Sequence, residues 1–321
     1  MKKLKNKLLL IIWLISFIII ALLGYNAFFH RVEASNDSPR KFGATYMTMN
    51  NPYFDILNGG IKEVVEANGD ILITRDPATD QEKQNSQILE MIEEGVQAIF
   101  INPADWKKVK PALLACKEAN IPVFNVDTMV YDTDLVVSII ASDNYNAGVQ
   151  CAKDMMSKLE SANIVILDQP IINSITQRIQ GFKDTIKDNP DYHVVVQQAA
   201  RGELEVAMEV MNSIIESGVT FNVVMGGNDP TALGALAALE SHHKTGDILI
   251  YGVDGSPDGK MMIKEGYLEG SSAQYPSDMG KIAAEVAYAY LRGERIAENI
   301  VVPVTLITRE NLDSFTVDEW Q

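Results

Sequence analysis

The sequence has 321 residues, of which 47% are hydrophobic and 22% are charged. This length predicts about two domains, and the composition is typical of a chain that folds around a hydrophobic core. The formal net charge of −16 at pH 7 argues against nucleic acid as a partner, because displacing the counterions of a phosphate backbone requires a surplus of Lys and Arg.

The first 34 residues differ from the rest of the chain. Four lysines within the first seven residues precede an apolar stretch at residues 8–29, and Val32 and Ala34 occupy the small-residue positions of a signal-peptidase site. Because about 20 apolar residues also suffice to span a bilayer, residues 1–34 are predicted to be a signal peptide or, if uncleaved, an anchor that contacts the membrane. Either interpretation predicts export to the periplasm or to the outer face of the cytoplasmic membrane.

After residue 41, short apolar runs alternate with amphipathic helical patterns. In a first series, strands are predicted at residues 42–47, 70–75, 98–102, 122–127 and 136–141, and helices at residues 53–68, 80–94 and 108–119. In a second series, helices are predicted at residues 147–159, 175–187, 204–216 and 230–241, and strands at residues 163–168, 193–199, 221–225 and 248–253. Regular alternation of this kind produces parallel sheets with helices on both faces. The break at residues 142–146 therefore indicates an α/β protein with two similar doubly wound lobes.

The cysteines and histidines give no sign of a reactive centre. Cys116 and Cys151 are the only cysteines, and each lies in a predicted amphipathic helix, which favours buried free thiols over a disulfide. No histidine has a cysteine or carboxylate at metal-ligand spacing, and no nucleophile motif or phosphate loop occurs. We therefore predict that the protein is not an enzyme and uses neither a metal nor another cofactor.

In doubly wound sheets a ligand binds beyond the carboxyl ends of the strands. The segments that follow the predicted strands are rich in Asn, Asp and aromatic residues, and they contain neither His nor Cys; they are residues 48–54, 102–105, 127–129, 228–230 and 254–258. Such a composition favours hydrogen bonding and stacking. Asn and Asp also favour turns and helix N-termini, so Asn51, Asn228 and Asp254 have a purely structural alternative.

A set of short motifs follows in a fixed order along the chain. They are NNPYF at residues 50–54, INPAD at 101–105, ASDN at 141–144, RIQGF at 178–182, ND with ALGAL at 228–236, GVDGSPDG at 252–259 and AQYP at 273–276. Each motif alone is weak, but in this order they resemble the type I periplasmic binding proteins, specifically the ribose-binding branch. The resemblance extends from about residue 41 to residue 305. Sugar-responsive repressors share this core but begin with a DNA-binding headpiece, where this sequence has the predicted export segment.

The resemblance implies two lobes joined by a three-strand hinge. Residues 35–40 would be a linker. Residues 41–142 plus 275–303 would form the N-terminal lobe, and residues 143–274 plus 304–321 the C-terminal lobe. The chain would cross between the lobes near residues 141–144, 271–275 and 303–305.

The resemblance also implies a ligand held in the cleft between the lobes. The matching positions are Asn51, Tyr53, Phe54, Asn102 and Asp127 in the first lobe, and Arg178, Asn228, Asp254 and Gln274 in the second lobe and hinge. These residue types suit a sugar, because carboxylates accept hydrogen bonds from hydroxyls, Arg donates in a rigid fork, and Asn and Gln do both. Aromatic rings cover the CH-rich faces of the ligand.

Three departures from the family pattern argue against ribose itself. Thr128 follows Asp127 where ribose binders usually have Arg, residues 201–203 lack the aromatic that commonly caps the sugar, and Met47 occupies a position often held by a small polar residue. The sequence therefore predicts binding of a small pentose-like or hexose-like sugar and its delivery to an ABC-type membrane permease. The alternative is a membrane-anchored sugar receptor that regulates a sensor histidine kinase, and the same recognition domain would serve both partners.

Overall fold

The first sheet contains five strands from the first half of the chain and one from near its end. A computed structural model describes residues 38–321, so the predicted signal or anchor segment lies outside the described residues. The six strands run parallel in the order β11-β5-β4-β3-β1-β2. Their bounds are β1 Lys41–Thr45, β2 Ile71–Arg75, β3 Ala98–Ile101, β4 Val123–Val126, β5 Ser138–Ser142 and β11 Asn299–Val302.

The second sheet repeats this arrangement in the order β12-β10-β9-β8-β6-β7. Its strands are β6 Ala162–Asp168, β7 Tyr192–Ala199, β8 Val223–Gly226, β9 Leu249–Asp254, β10 Gly270–Ala273 and β12 Thr305–Thr308. They are parallel except for β12, which pairs antiparallel with β10. The matching strand orders confirm the predicted α/β class with two similar doubly wound lobes.

Helices pack against both sheets and bury the apolar residues of the strands. With the first sheet lie α1 Pro52–Ala67, α2 Gln81–Glu93, α3 Lys110–Glu118 and α9 Pro276–Leu291. With the second sheet lie α4 Asn144–Lys158, α5 Asn173–Ile186, α6 Leu204–Glu216, α7 Asp229–Ser241 and α8 Pro257–Glu265. Phe42, Phe100 and Phe124 are fully buried in the first lobe, where they form a continuous aromatic core.

The chain passes between the two sheets at three places. These are the steps from β5 to α4, from β10 to α9, and from β11 to β12. Because the last step joins two strands of different sheets directly, the final residues return to the second lobe.

Cys116 on α3 and Cys151 on α4 are both buried and unpaired, which confirms the prediction of free thiols. Burial raises the pKa of the Cys116 thiol to about 12, so it carries almost no thiolate at neutral pH. No helix between residues 38 and 321 combines the length and the apolar character needed to cross a membrane.

Candidate ligand-binding site

The two lobes touch at the carboxyl ends of their strands. Thr128 Oγ1, just after β4, lies 2.9 Å from Ser174 Oγ at the start of α5. Nearby, the backbone N–H of Trp106 donates to the carbonyl oxygen of Ile171 at 3.4 Å. These two contacts join opposite lobes directly, so the cleft between them is closed.

The closed cleft encloses a cavity of about 40 Å³. Every predicted ligand-binding residue except one lies in its wall: Asn51, Tyr53, Phe54, Asp127, Arg178, Asn228, Asp254 and Gln274. A second cavity of about 710 Å³ adjoins it and shares six lining residues with it: Met47, Asn51, Phe54, Ile175, Asn228 and Asp254. Side chains from both lobes therefore converge on one enclosed space, which opens toward a wider groove.

Two aspartates occupy equivalent places in the two lobes. Asp127 follows β4 and Asp254 ends β9, and these strands hold the same position in their sheets. Asp127 has a φ of 62° and Asp254 a φ of 143°, values that are unusual for residues other than glycine. Strained backbone of this kind clusters at ligand sites, where the surrounding structure maintains it.

Asp127 is held by three hydrogen bonds within the first lobe. Tyr53 Oη donates to its Oδ1 at 3.1 Å. Thr128 Oγ1 and Asn102 Nδ2 are 3.1 and 2.9 Å from its Oδ2, respectively. The carboxylate is thereby fixed at the cavity wall with its lone pairs partly satisfied.

Asn102 is placed differently from the prediction, which expected it to contact the ligand. It is fully buried behind Asp127, and its Oδ1 accepts a hydrogen bond from the Met47 backbone N–H at 3.1 Å. Since both ends of its amide bond to the protein, Asn102 orients Asp127 and the strand-end loop at Met47.

Arg178 is the central cation of the second lobe. Its Nε donates to Asn144 Oδ1 at 2.8 Å and its Nη1 donates to the Gly227 carbonyl oxygen at 2.9 Å. Nη1 is also 3.7 Å from Asp254 Oδ1. The guanidinium is therefore fixed by three different segments of the chain, and it is almost completely buried.

A glycine contact determines where Arg178 lies. Helices α4 and α5 meet so closely that a Cβ added to Gly148 would collide with the Arg178 carbonyl oxygen. Gly181, one turn further along α5, packs equally closely on the Tyr145 carbonyl oxygen. The small residues let the two backbones approach, and this approach brings the Arg178 side chain to the cleft.

Asn51 and Asn228 each cap a helix as well as lining the cavity. Asn51 Oδ1 accepts from the Tyr53 backbone N–H at 3.0 Å, and Asn228 Oδ1 accepts from the Thr231 backbone N–H at 3.0 Å. Both residues therefore have the helix-capping role that was the alternative to ligand binding, but a capping residue that lines the cavity can also contact a ligand. Asn228 Nδ2 donates to the Gly202 carbonyl oxygen at 3.0 Å, whereas Asn51 Nδ2 has no hydrogen-bond partner among residues 38–321.

Burial is the largest influence on the pKa values of the two aspartates in the cavity wall, Asp127 and Asp254. It raises the pKa of Asp254 to about 8, because the favourable charge of Arg178 only partly offsets desolvation and the charge of Asp229 adds to it. Burial also raises the pKa of Asp127, against the opposing influence of Arg178 and of its three hydrogen bonds. Gln274 Nε2 donates to Asp254 Oδ1 at 2.7 Å. Further hydrogen-bond donors directed at these carboxyls would favour their ionised forms.

The sequence did not identify every residue at the site. Ser174 lines the enclosed cavity, Ile175 lines both cavities, and Trp320 lines the wider one. The Trp320 ring is 5.8 Å from the Tyr53 ring in an edge-on arrangement. No local pattern points to Trp320, because its position depends on the path of the last residues of the chain.

Other features of the described chain do not compete with this site. A cavity of about 430 Å³, lined by Asn163, His193 and Asn222, lies at the opposite, amino-terminal ends of the second-sheet strands. Within residues 38–321, no group of His, Cys, Asp and Glu residues is placed to hold a metal ion.

The sequence and the fold both match known proteins. The model of the periplasmic binding protein domain matches residues 42–295, which is most of the described chain. The chain belongs to the periplasmic binding protein family. Proteins of this family bind solutes without chemical conversion, which confirms the prediction that the chain is not an enzyme, and they act outside the cytoplasm.

Among its relatives is the ribose import binding protein of Bacillus subtilis, 32% identical over 283 residues that cover 87% of this chain and 91% of that protein. The xylitol-binding protein of Mycolicibacterium smegmatis is 29% identical and covers 87% and 80%, respectively. These matches confirm the predicted ribose-binding branch of the type I periplasmic binding proteins.

Solved structures agree over nearly the whole domain. A solute-binding protein of an ABC transporter from Bacillus halodurans with bound myo-inositol superposes with a TM-score of 0.81 at 25% identity, covering 87% of this chain and 98% of that one. The binding protein of an arabinose transporter from Shewanella, bound to L-arabinofuranose, gives a TM-score of 0.80 at 27% identity, covering 85% and 93%.

Proposed function

We propose that this periplasmic binding protein closes on a small neutral sugar or related polyol, of pentose or hexose size, and delivers it to an ABC-type permease. The observation that carries the proposal is the set of buried polar groups around one closed cavity. Asp127 approaches from one lobe, and Arg178 and Asp254 approach from the other.

This set of groups suits a polyhydroxyl ligand better than the alternatives. Each hydroxyl of a sugar both donates and accepts, so it can pair with a carboxylate oxygen on one side and with an Arg or Asn donor on the other. A carboxylate ligand would add a third acidic group beside Asp127 and Asp254, with Arg178 as the single cation among the residues that line the cavity, and burying acidic groups without matching cations is costly. Phe54 supplies an apolar surface for the CH groups.

The relatives support a ligand of this class without agreeing on one compound. Their names and bound molecules include ribose, xylitol, myo-inositol and L-arabinofuranose. Thr128, which stands where ribose binders usually have Arg, bonds to Asp127 and meets Ser174 across the cleft. We infer that it reshapes the pocket, so ribose itself is not favoured over other small polyols.

Closure supplies the means of delivery. A ligand that contacts both lobes at once favours the closed form, and a permease can then distinguish a loaded from an unloaded protein. The finer location, periplasm or outer membrane face, depends on residues 1–34 and stays a prediction. The sensor-kinase partner also stays a prediction.

A thermal-shift screen tests the proposal. The panel contains D-ribose, L-arabinose, D-allose, myo-inositol, xylitol and glycerol, with amino acids and nucleosides as other classes. A ligand at a hundredfold excess over its Kd should stabilise the protein by about 2.7 kcal/mol. A shift with an amino acid or nucleoside, and none with any sugar or polyol, would overturn the proposed ligand class.

A further inference from the structure

The last residues of the chain, 316–321, are held in place by a buried lysine. Lys260 on α8 is almost completely buried, and its Nζ donates to the carbonyl oxygens of Thr316, at 2.7 Å, and of Glu319. It also donates to Gln321 Oε1 at 3.1 Å. Three acceptors from one short segment satisfy the ammonium group, so the segment has a defined path along the second lobe.

The end of this segment supports the turn that carries Asp254. Gln321 Nε2 donates to the Asp254 carbonyl oxygen at 2.9 Å and to the Gln274 carbonyl oxygen at 2.7 Å. Gly255 has a φ of 67°, and a Cβ there would lie 2.7 Å from Gln321 Nε2. The tail therefore packs directly on the backbone of two residues that line the enclosed cavity.

Trp320 extends from this tethered segment to the opposite lobe. Its ring meets the ring of Tyr53 edge-on, and Tyr53 in turn bonds to Asp127. Trp320 is half-buried and lines the wider cavity together with residues 201–203, the loop that has no aromatic side chain. An indole thus stands at the mouth of the site, held by one lobe and in contact with the other.

Resting on the proposed function, we propose that Trp320 is a specificity-determining wall of the ligand site, which packs on the apolar face of a cyclic sugar or cyclitol. A ring of this kind presents its CH groups on one face, and an indole offers a large, rigid apolar surface to that face. An acyclic polyol has no fixed face of this kind, so it gains less from Trp320. The tail would then supply the aromatic surface that residues 201–203 lack.

The test compares full-length variants by calorimetric titration. The variants are Trp320→Ala, Trp320→Phe and, as a control, Tyr267→Ala, which removes an exposed aromatic distant from the cleft. The probes are D-ribose, L-arabinose and myo-inositol as cyclic ligands, and xylitol and glycerol as acyclic ones. Trp320→Ala should weaken the best cyclic ligand about tenfold, and Trp320→Phe should restore most of that loss. Acyclic ligands should change less than about threefold, and Tyr267→Ala should bind like the wild type.

The outcomes separate this inference from the proposed function. If the wild type binds a cyclic sugar and Trp320→Ala binds it equally well, the role of Trp320 is overturned while the proposed function stands. Tight binding of acyclic polyols alone would also overturn it. If the wild type binds no sugar or polyol, both the proposed function and the role of Trp320 are overturned.

A fluorescence measurement covers the case in which Trp320→Ala folds poorly. Trp320 is the only tryptophan left when Trp13→Phe and Trp106→Phe are combined in the full chain. Saturation with the cyclic ligand should then shift or quench the emission, and unchanged emission would overturn the inference.

Discussion

Thr128 Oγ1 lies 2.9 Å from Ser174 Oγ, and the two hydroxyls belong to opposite lobes. Because the two hydroxyls lie on different lobes, a hinge opening that separates β4 from α5 would break this contact. Because Thr128 Oγ1 is also within 3.1 Å of Asp127 Oδ2, the interlobe contact is linked to a carboxylate of the candidate ligand site.

Removing this contact should favour the open form. We expect Ser174→Ala to weaken sugar binding by about two- to tenfold, which corresponds to the typical net free energy of one hydrogen bond. Small-angle scattering should show a larger radius of gyration for the variant without added sugar. Ser157→Ala, which removes a hydroxyl on the exposed surface of α4, is the control. Unchanged affinity and unchanged radius would show that the contact does not contribute to closure.

Sugar binding should depend on pH through Asp254. Its pKa of about 8 reflects burial, and hydroxyl donors from a ligand favour the ionised carboxylate, so binding lowers that pKa. Binding therefore releases a proton, and affinity should rise between pH 6 and pH 8, by at most about tenfold per unit, and level off above pH 8. Titration calorimetry in buffers of different ionisation enthalpy measures the released protons directly. In Asp254→Asn the affinity should depend on pH only slightly, through Asp127. A wild-type affinity that does not change between pH 6 and pH 8 would contradict the assignment of the pH dependence to Asp254.

The raised pKa of Asp254 also predicts how the free energy of unfolding of the sugar-free protein changes with pH. The folded state keeps the Asp254 proton up to higher pH than the unfolded state, whose aspartates titrate near about 3.9. The contribution of this residue to the free energy of unfolding is therefore present below pH 4 and is lost as the pH rises toward 8. Asp254→Asn should increase stability relative to the wild type at pH 8 more than at pH 5, as measured by urea unfolding. An equal difference at both pH values would contradict the raised pKa.

The close approach of α4 and α5 is expected to be needed both for the stability of the fold and for sugar binding. Gly148→Ala would place a methyl group against the Arg178 carbonyl oxygen, so the helices must separate. We predict a loss of about 1–3 kcal/mol in the free energy of unfolding, together with weaker sugar binding because Arg178 moves with its helix. Gly59→Ala, on an open face of α1, is the matched control and should be neutral or slightly stabilising. Equal stability of the two variants would show that the contact is not tight.

Lys260 should stabilise the tail more than the rest of the fold. In Lys260→Met the carbonyl oxygens of Thr316 and Glu319 lose their donor, which we expect to cost about 1–3 kcal/mol. Hydrogen exchange should increase in residues 316–321 and at the Asp254 turn before it increases elsewhere. Protection that is unchanged in this segment would show that the lysine does not hold it.

The sequence analysis selected strand-end residues that line the cavity because two rules act together. Alternating elements define which ends of the strands face the cleft, and the ordered motifs select Asp127 and Asp254 among the residues there. Asn102 occupies the same kind of position, yet its amide turns inward because Asp127 and the Met47 backbone offer it partners. The choice between an inward and an outward side chain depends on such tertiary hydrogen bonds, which no spacing reveals.

The alternation of strands and helices does not predict the path of the chain beyond residue 254. Strand β11 belongs to the first sheet, whereas β10 and β12 pair in the second, and strict alternation of strands and helices does not predict the crossovers between the two sheets. Trp320 reaches the cleft because Lys260, which is 56 residues from Thr316 in sequence, binds the tail. A contact over that separation leaves no periodic signal, so the aromatic at the mouth of the site could not be found from the sequence.

Calorimetric titration of the wild type, Arg178→Ala and Asp254→Ala with the sugar that gives the largest thermal shift tests the central claim most directly. Each substitution leaves buried polar partners unpaired and should cost about 2–4 kcal/mol of binding, equivalent to roughly 30- to 1,000-fold in Kd. The wild type should bind one sugar per chain, and both variants should keep a cooperative thermal unfolding transition. Affinities of both folded variants close to that of the wild type would contradict the placement of the ligand between Arg178 and Asp254.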